Sequence, residues 1–96
     1  MDPVTAEPTD TPTSGPAVEQ PPHPETDRPH TTLYRRGQHY LWIFWPDRWQ
    51  HCTVIARQDY RNGAVVYQVE LYDDPVSRSK TVRTFAWGPD SIRPAD

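Results

Sequence analysis

The sequence predicts an all-β fold, a small five-stranded barrel behind a leader that lacks the means to fold by itself. Three observations predict it. The stretch His39 to Arg57, HYLWIFWPDRWQHCTVIAR, carries apolar and aromatic residues on both sides of Trp45-Pro46-Asp47-Arg48-Trp49, the local chemistry of a hairpin turn. Asn62-Gly63, among the strongest short hairpin signals, stands immediately before the cleanest alternation in the chain, Ala64 to Tyr72. Prolines at 3, 8, 12, 16, 21, 22, 24 and 29 crowd a first stretch with almost nothing apolar to bury.

That first stretch, residues 1–32, reads as a disordered, acidic, Pro-rich leader, and residues 33–96 as the folded domain. The leader's six carboxylates face Arg28 alone, a charge of −5, whereas nine bases and seven acids give the rest of the chain +2. Ordering the leader contributes so little burial that deleting Met1 to His30 is expected to leave the melting temperature nearly unchanged. Within it, Pro21-Pro22-His23-Pro24 has the composition of a polyproline ligand. The remaining roughly 60 residues bury only about 60% of their unfolded surface, so stability must come from large side chains, a metal, disulfides or a partner. Cys52 is the single cysteine, which excludes an intramolecular disulfide and suits a reducing compartment. No apolar run approaches the ~20 residues of a membrane helix, and the start of the chain lacks the pattern of a signal peptide, so the expected location is cytoplasmic.

After the lead-in Leu33-Tyr34-Arg35-Arg36-Gly37, a first strand is expected at about Gln38 to Phe44. Tyr40, Trp42 and Phe44 alternate there with His39, Leu41 and Ile43, so neither face is polar and the strand is either buried twice or lines a contact surface. The second strand, Trp49 to Arg57, sets Cys52, Val54 and Ala56 on one face, small and apolar like the inner wall of a tight barrel. In the third, Ala64 to Tyr72, Val65, Tyr67, Val69 and Leu71 share a face. Asp73 to Lys80 has loop composition and Thr81 to Trp87 resumes a strand pattern. Gly88-Pro89-Asp90-Ser91 allows a single 3₁₀ turn, after which Ile92-Arg93-Pro94 closes the sheet as an edge strand.

Five strands, a tight turn between the first pair and one helical turn before the last strand resemble the SH3-like barrels, and most closely the Tudor-like domains. Trp49-Gln50-His51-Cys52-Thr53-Val54 looks like the family's W-Y-x-A-x-V strand, Val69-Glu70-Leu71-Tyr72-Asp73 is similar to its V-x-F-x-D strand, and Ile92-Arg93-Pro94 looks like the usual ending. The resemblance implies a five-stranded SH3-like or Tudor-like barrel over residues 36–95. It also implies a cage of aromatics around a methylated Lys or Arg, held by cation–π attraction of ~0.5–2 kcal/mol per contact. The matching positions are Trp42 or Trp45, Trp49 and Tyr72, with Asp73 and Asp74 beside them. Where the family shows Asp-Tyr-Gly-Asn this chain has Asp73-Asp74-Pro75-Val76, so Tyr72 and the acid pair are what remain to face a cation.

From the residues themselves, Trp42 and Phe44 are expected in the core, since so small a domain needs aromatic volume. Trp45 and Trp49 bracket a turn and Tyr72 points outward by parity, so these three are expected to form one exposed patch that binds a protein or peptide, a cationic one included. Arg78, Lys80 and Arg83 supply the alternative, a nucleic-acid surface on which exposed aromatics stack bases, and a role as accessory subunit of a larger assembly is the third reading. Cys52 reads as an inert core thiol, and the spacing of His23, His30, His39 and His51 is not that of a zinc site. No cofactor is expected. No nucleophile elbow, paired acid–base motif or phosphate-cradling loop stands in the chain, so the expectation is a non-catalytic interaction module.

Overall fold

A long central strand organises the molecule by changing partners along one of its edges. The computed structural model describes residues 6–19 and 28–95. It contains β1 (His30–Leu33), β2 (Tyr40–Phe44), β3 (Trp49–Asp59), β4 (Val65–Leu71), β5 (Thr81–Ala86) and β6 (Ile92–Pro94). These form one antiparallel sheet in the order β5-β4-β3-β2-β6, with β1 added to β3. One edge of β3 pairs with β2 as far as Thr53 and with β1 from Ala56 onward; the other edge pairs with β4. The β3–β4 register slips between Val54 and Ala56, a bulge at the point where β3 exchanges β2 for β1. Tyr34 N donates to the Ile55 carbonyl and Val54 N to the His39 carbonyl, so the residues at this handover keep their hydrogen bonds.

The turns follow the local chemistry. Trp45 N donates to the Arg48 carbonyl and closes the β2–β3 hairpin, in which Phe44 faces Trp49. Between β3 and β4, Tyr60 N donates to the Ala64 carbonyl, Asn62 Oδ1 accepts from Ala64 N, and Gly63 takes φ +89°, a conformation that disfavours a side chain. Ser91 N and Ile92 N both donate to the Gly88 carbonyl, giving the expected single turn before β6.

Leu41, Ile43, Cys52, Val54, Val69, Leu71, Phe85 and Ile92 form the core, and Trp42 is buried as well, so β2 is covered on both faces. The hairpins, the small inner wall of β3 and the last strand thus match the expectation. Three features differ. The sheet has six strands rather than five and does not close into a barrel. The additional strand, β1, begins at His30, ahead of the expected domain start at 33, and its four residues are all exposed. In β4 it is Val66, not Val65, that is buried alongside Val69 and Leu71, so the even alternation breaks between Val66 and Val69.

The fourth difference lies in the leader. Residues 6–19 lie against the sheet, with Pro12 and Ala17 buried and Ala17 part of the core cluster. Ala17 N donates to the Phe44 carbonyl, Ala86 N donates to the Val18 carbonyl, and Glu19 bridges Phe85 on the outer edge of β5. The segment therefore links the edge strand β5 to the end of β2 across the side where the sheet stays open. The motif Pro21-Pro22-His23-Pro24 lies outside the described residues.

Candidate functional site

The structure distributes the predicted aromatics over several environments. Trp42 sits in the middle of β2 beside His51, ring centroids 5.0 Å apart, and its buried Nε1 has no hydrogen-bond partner. Tyr40 stacks on the same histidine at 4.8 Å. Trp45 turns toward the core and meets Phe85 edge-on at 5.6 Å. Trp49 packs edge-on against Phe44 at 5.4 Å and donates from Nε1 to the Asp10 carbonyl at 2.7 Å. Tyr72, just past the end of β4, is the most exposed of the four at 37%.

Three of these rings already carry a cation of this chain. The guanidinium carbon of Arg83 lies 4.8 Å from the Trp45 ring centre, that of Arg93 lies 4.7 Å from Trp49, and Lys80 Nζ lies 5.6 Å from Tyr72. The predicted acids are similarly engaged. Asp73 accepts from Arg83 Nε at 2.8 Å and from Thr81 Oγ1 at 2.9 Å, and these bonds hold its carboxyl below the ordinary aspartate range. Asp74 shapes its own loop: Oδ1 accepts from Val76 N and the carbonyl from Ser77 N.

Where the β2–β3 turn approaches the β4–β5 loop, the surface opens into a cleft of about 480 Å³ lined by Arg48, Gln50, His51, Tyr72, Asp74, Pro75 and Ser77. That is within the ~300–1,000 Å³ typical of ligand sites. Gln50 builds one wall. It lies at core parity with Cys52 and Val54, is 8% exposed, and uses its amide to tie the two loops together. Nε2 donates to the carbonyls of Trp45 (2.7 Å) and Tyr72 (2.9 Å), and Oε1 accepts from Tyr72 N (3.1 Å). Arg48 lines the same cleft with a buried Nη1 that has no hydrogen-bond partner, the nearest carboxylate oxygen, of Asp47, being 3.7 Å away. Hollows of about 170 and 190 Å³ beside Tyr34 are smaller than a typical ligand site.

Of the predicted site residues, Tyr72 and Asp74 thus line the cleft, and Trp45 contributes its carbonyl to the tie beneath it. Trp42, Trp49 and the Asp73 carboxylate are engaged elsewhere. Arg48, Gln50 and His51 also line the cleft and are not among the site residues that the sequence nominates. Gln50 alone left a signal, a polar side chain on the same face as Cys52, Val54 and Ala56, where burial demands partners.

Among the described residues no three His, Cys, Asp or Glu side chains converge as a metal site would require, and no helix is long and apolar enough to cross a membrane. Compared with protein families, curated proteins and solved structures, the chain matches none.

Proposed function

We propose that this chain is a non-catalytic interaction module, SH3-like in plan and closest to Tudor-like domains, that takes a protein or peptide in the cleft between Arg48 and Tyr72. The turn at Trp45 to Arg48 and the single turn before β6, two features on which the SH3-like reading rests, support the fold part of it. The observation that carries the binding part is the cleft itself, with the partly exposed Tyr72, the Pro75 ring and the Arg48 side chain on adjoining walls. An extended peptide offers the matching groups, a backbone carbonyl or carboxylate for Arg48 and an aliphatic side chain for Tyr72 and Pro75.

The cation preference implied by the family resemblance is weaker here. A methylated lysine at Tyr72 displaces Lys80, and at Trp45 or Trp49 it displaces an arginine that is also bonded to a carboxylate. A nucleic-acid surface has less support still: of Arg78, Lys80 and Arg83, the last is held by Asp73 and Glu19, and Arg36, Arg57 and Arg93 likewise pair with Asp or Glu of the same chain.

The test is selection of binders from a peptide library, followed by titration against variants. Tyr72→Ala suits it because Tyr72 meets Gln50 only through its backbone, which the substitution keeps. Tyr72→Ala and Arg48→Ala are each expected to weaken the selected peptide at least ~30-fold while leaving the circular dichroism spectrum unchanged. Folded variants that bind as tightly as the parent refute the proposal.

A further inference from the structure

The face around Trp49 and Arg93 is a second surface, separate from the cleft, and residues 10–19 are seated on it. The segment turns at Pro12 to Gly15, where Gly15 N donates to the Pro12 carbonyl and Gly15 takes φ +87°, and its contacts to the body are of a kind that reads a peptide. Arg93 holds the Asp10 carboxylate bidentately, Nη1 to Oδ1 and Nη2 to Oδ2, both at 2.7 Å. The indole N–H of Trp49 donates to the Asp10 carbonyl, and the Arg93 guanidinium lies over the same indole. Asp90 Oδ2 accepts from Ser14 N at 2.9 Å, from Ser14 Oγ at 2.7 Å and from Thr13 Oγ1 at 3.3 Å. The Phe44 carbonyl then accepts from Ala17 N, Ala86 N donates to the Val18 carbonyl, and Arg83 holds Glu19 at 2.8 Å.

The segment is held mainly at the surface, Ala17 alone joining the core. Only Pro12 and Ala17 of residues 6–19 are buried, and its charged and hydroxyl contacts are all solvent-accessible. Such contacts give register and specificity, yet water and salt compete with them. Prolines at 12 and 16 limit the freedom that the segment loses on docking.

We infer that the Trp49–Arg93–Asp90 face is a peptide-docking site which the chain fills with its own residues 10–19, and that the partner it fits is a proline-containing segment of another protein, turned at its middle as Pro12 to Gly15 is, with the same order of groups. That order is a carboxylate for Arg93, then a hydroxyl and amide three and four positions later for Asp90, then a small apolar residue at the seventh, as in Asp10, Thr13, Ser14 and Ala17. Arg93, Asp90 and the Trp49 indole supply the selectivity. Tethering through the stretch 20–29 keeps the resident segment at an effective concentration of order millimolar, so the partner must bind more tightly than the leader or arrive in several copies.

The experiment uses the full chain with a site-specific protease sequence inserted between residues 20 and 27, cut after folding. The indole N–H resonance of Trp49 and size-exclusion chromatography report whether the leader fragment is bound. After the cut, the fragment is expected to exchange reversibly while the remainder keeps its dispersed amide spectrum. A synthetic peptide of residues 6–19 is expected to restore the bound resonance, and the same peptide with Asp10→Ala or Ser14→Ala to bind about tenfold more weakly. Arg93→Ala in the body, which removes the carboxylate's partner, is expected to abolish the difference between the parent peptide and the one carrying Asp10→Ala. Loss of amide dispersion when the fragment leaves makes the segment a strand of the fold and overturns the inference. So does a fragment indifferent to Asp10 and Ser14, or an uncut chain that exchanges leaders to form a concentration-dependent dimer.

Discussion

Replacing Gln50 by leucine tests the structural basis of the cleft, because this one side chain joins the β2–β3 turn to the end of β4. The substitution nearly conserves volume and apolar contact, so what it removes is three hydrogen bonds, at 2.7, 2.9 and 3.1 Å. Each is worth ~0.5–1.5 kcal/mol net, and a backbone donor or acceptor left buried without a partner costs ~1–3 kcal/mol. Gln50 is 8% exposed, but Trp45 and Tyr72 border the cleft, from which water can reach part of what is left behind. The expected loss is therefore about 2–4 kcal/mol, a large share of the ~5–15 kcal/mol that holds a domain of this size together. At ~4–8 °C per kcal/mol the midpoint falls by roughly 10–30 °C. Urea denaturation followed by circular dichroism reads the change, and hydrogen exchange at the Tyr72 amide reads its location, since that N–H loses its acceptor. Gln50→Glu is expected to be worse than Gln50→Leu, because a carboxylate there faces the carbonyls of Trp45 and Tyr72. A Gln50→Leu loss under about 0.5 kcal/mol with an unchanged denaturant slope would mean that something other than Gln50 holds the two loops.

Burial pushes the Cys52 thiol up to about 12, so the native protein is expected to resist maleimide at about pH 7–8 and to react only on unfolding; rapid native labelling contradicts this. Cys52→Ser is expected to cost only about 1 kcal/mol by urea titration, since the Gln50 carbonyl, 3.4 Å from Sγ, can accept the new hydroxyl. Asp10, Asp73 and Asp90 all have carboxyl pKa values lowered from the ordinary 3.8, the first and second chiefly by arginine hydrogen bonds and the third by the Ser14 amide. Their contribution is thus fully present above about pH 4 and lost as the pH falls through the lowered values. Exchange at the Ser14 amide is expected to quicken in that window before the core opens, whereas simultaneous opening would detach the leader from this chemistry. Deleting residues 1–27 is expected to lower the melting temperature by at least several degrees, because the docked segment stabilises the body as a bound ligand does. An unchanged midpoint would return the leader to the dispensable status that its composition implies.

The parts of the fold legible in the sequence are those specified over short distances. Asn62-Gly63 sets one hairpin and the Trp45 to Arg48 turn the other, and Cys52, Val54 and Ala56 mark the inner face of β3 by parity alone. The strand β1 was not legible: His30-Thr31-Thr32-Leu33 is exposed throughout and joins β3 through its backbone. Nor was the docked leader, whose proline content signals disorder and whose holding groups lie far away in sequence. Asp10 meets Arg93, Ser14 meets Asp90 and Glu19 meets Arg83, pairings that only the folded sheet creates. The candidate site divides on the same line. Parity placed Tyr72 outside, but nothing in the spacing shows that Arg83, Arg93 and Lys80 cover the faces of Trp45, Trp49 and Tyr72. The cleft that remains is made by the meeting of two loops, which leaves no mark on either one.

Occupation of the cleft between Arg48 and Tyr72 by a peptide, as proposed, is read by an amide chemical-shift titration of the labelled full chain with a library-selected peptide. Saturable shifts are expected to concentrate at Arg48, Gln50, His51, Tyr72, Asp74 and Ser77, with the Gln50 side-chain amide among them. Shifts confined to other strands, or none at saturating peptide, would contradict it.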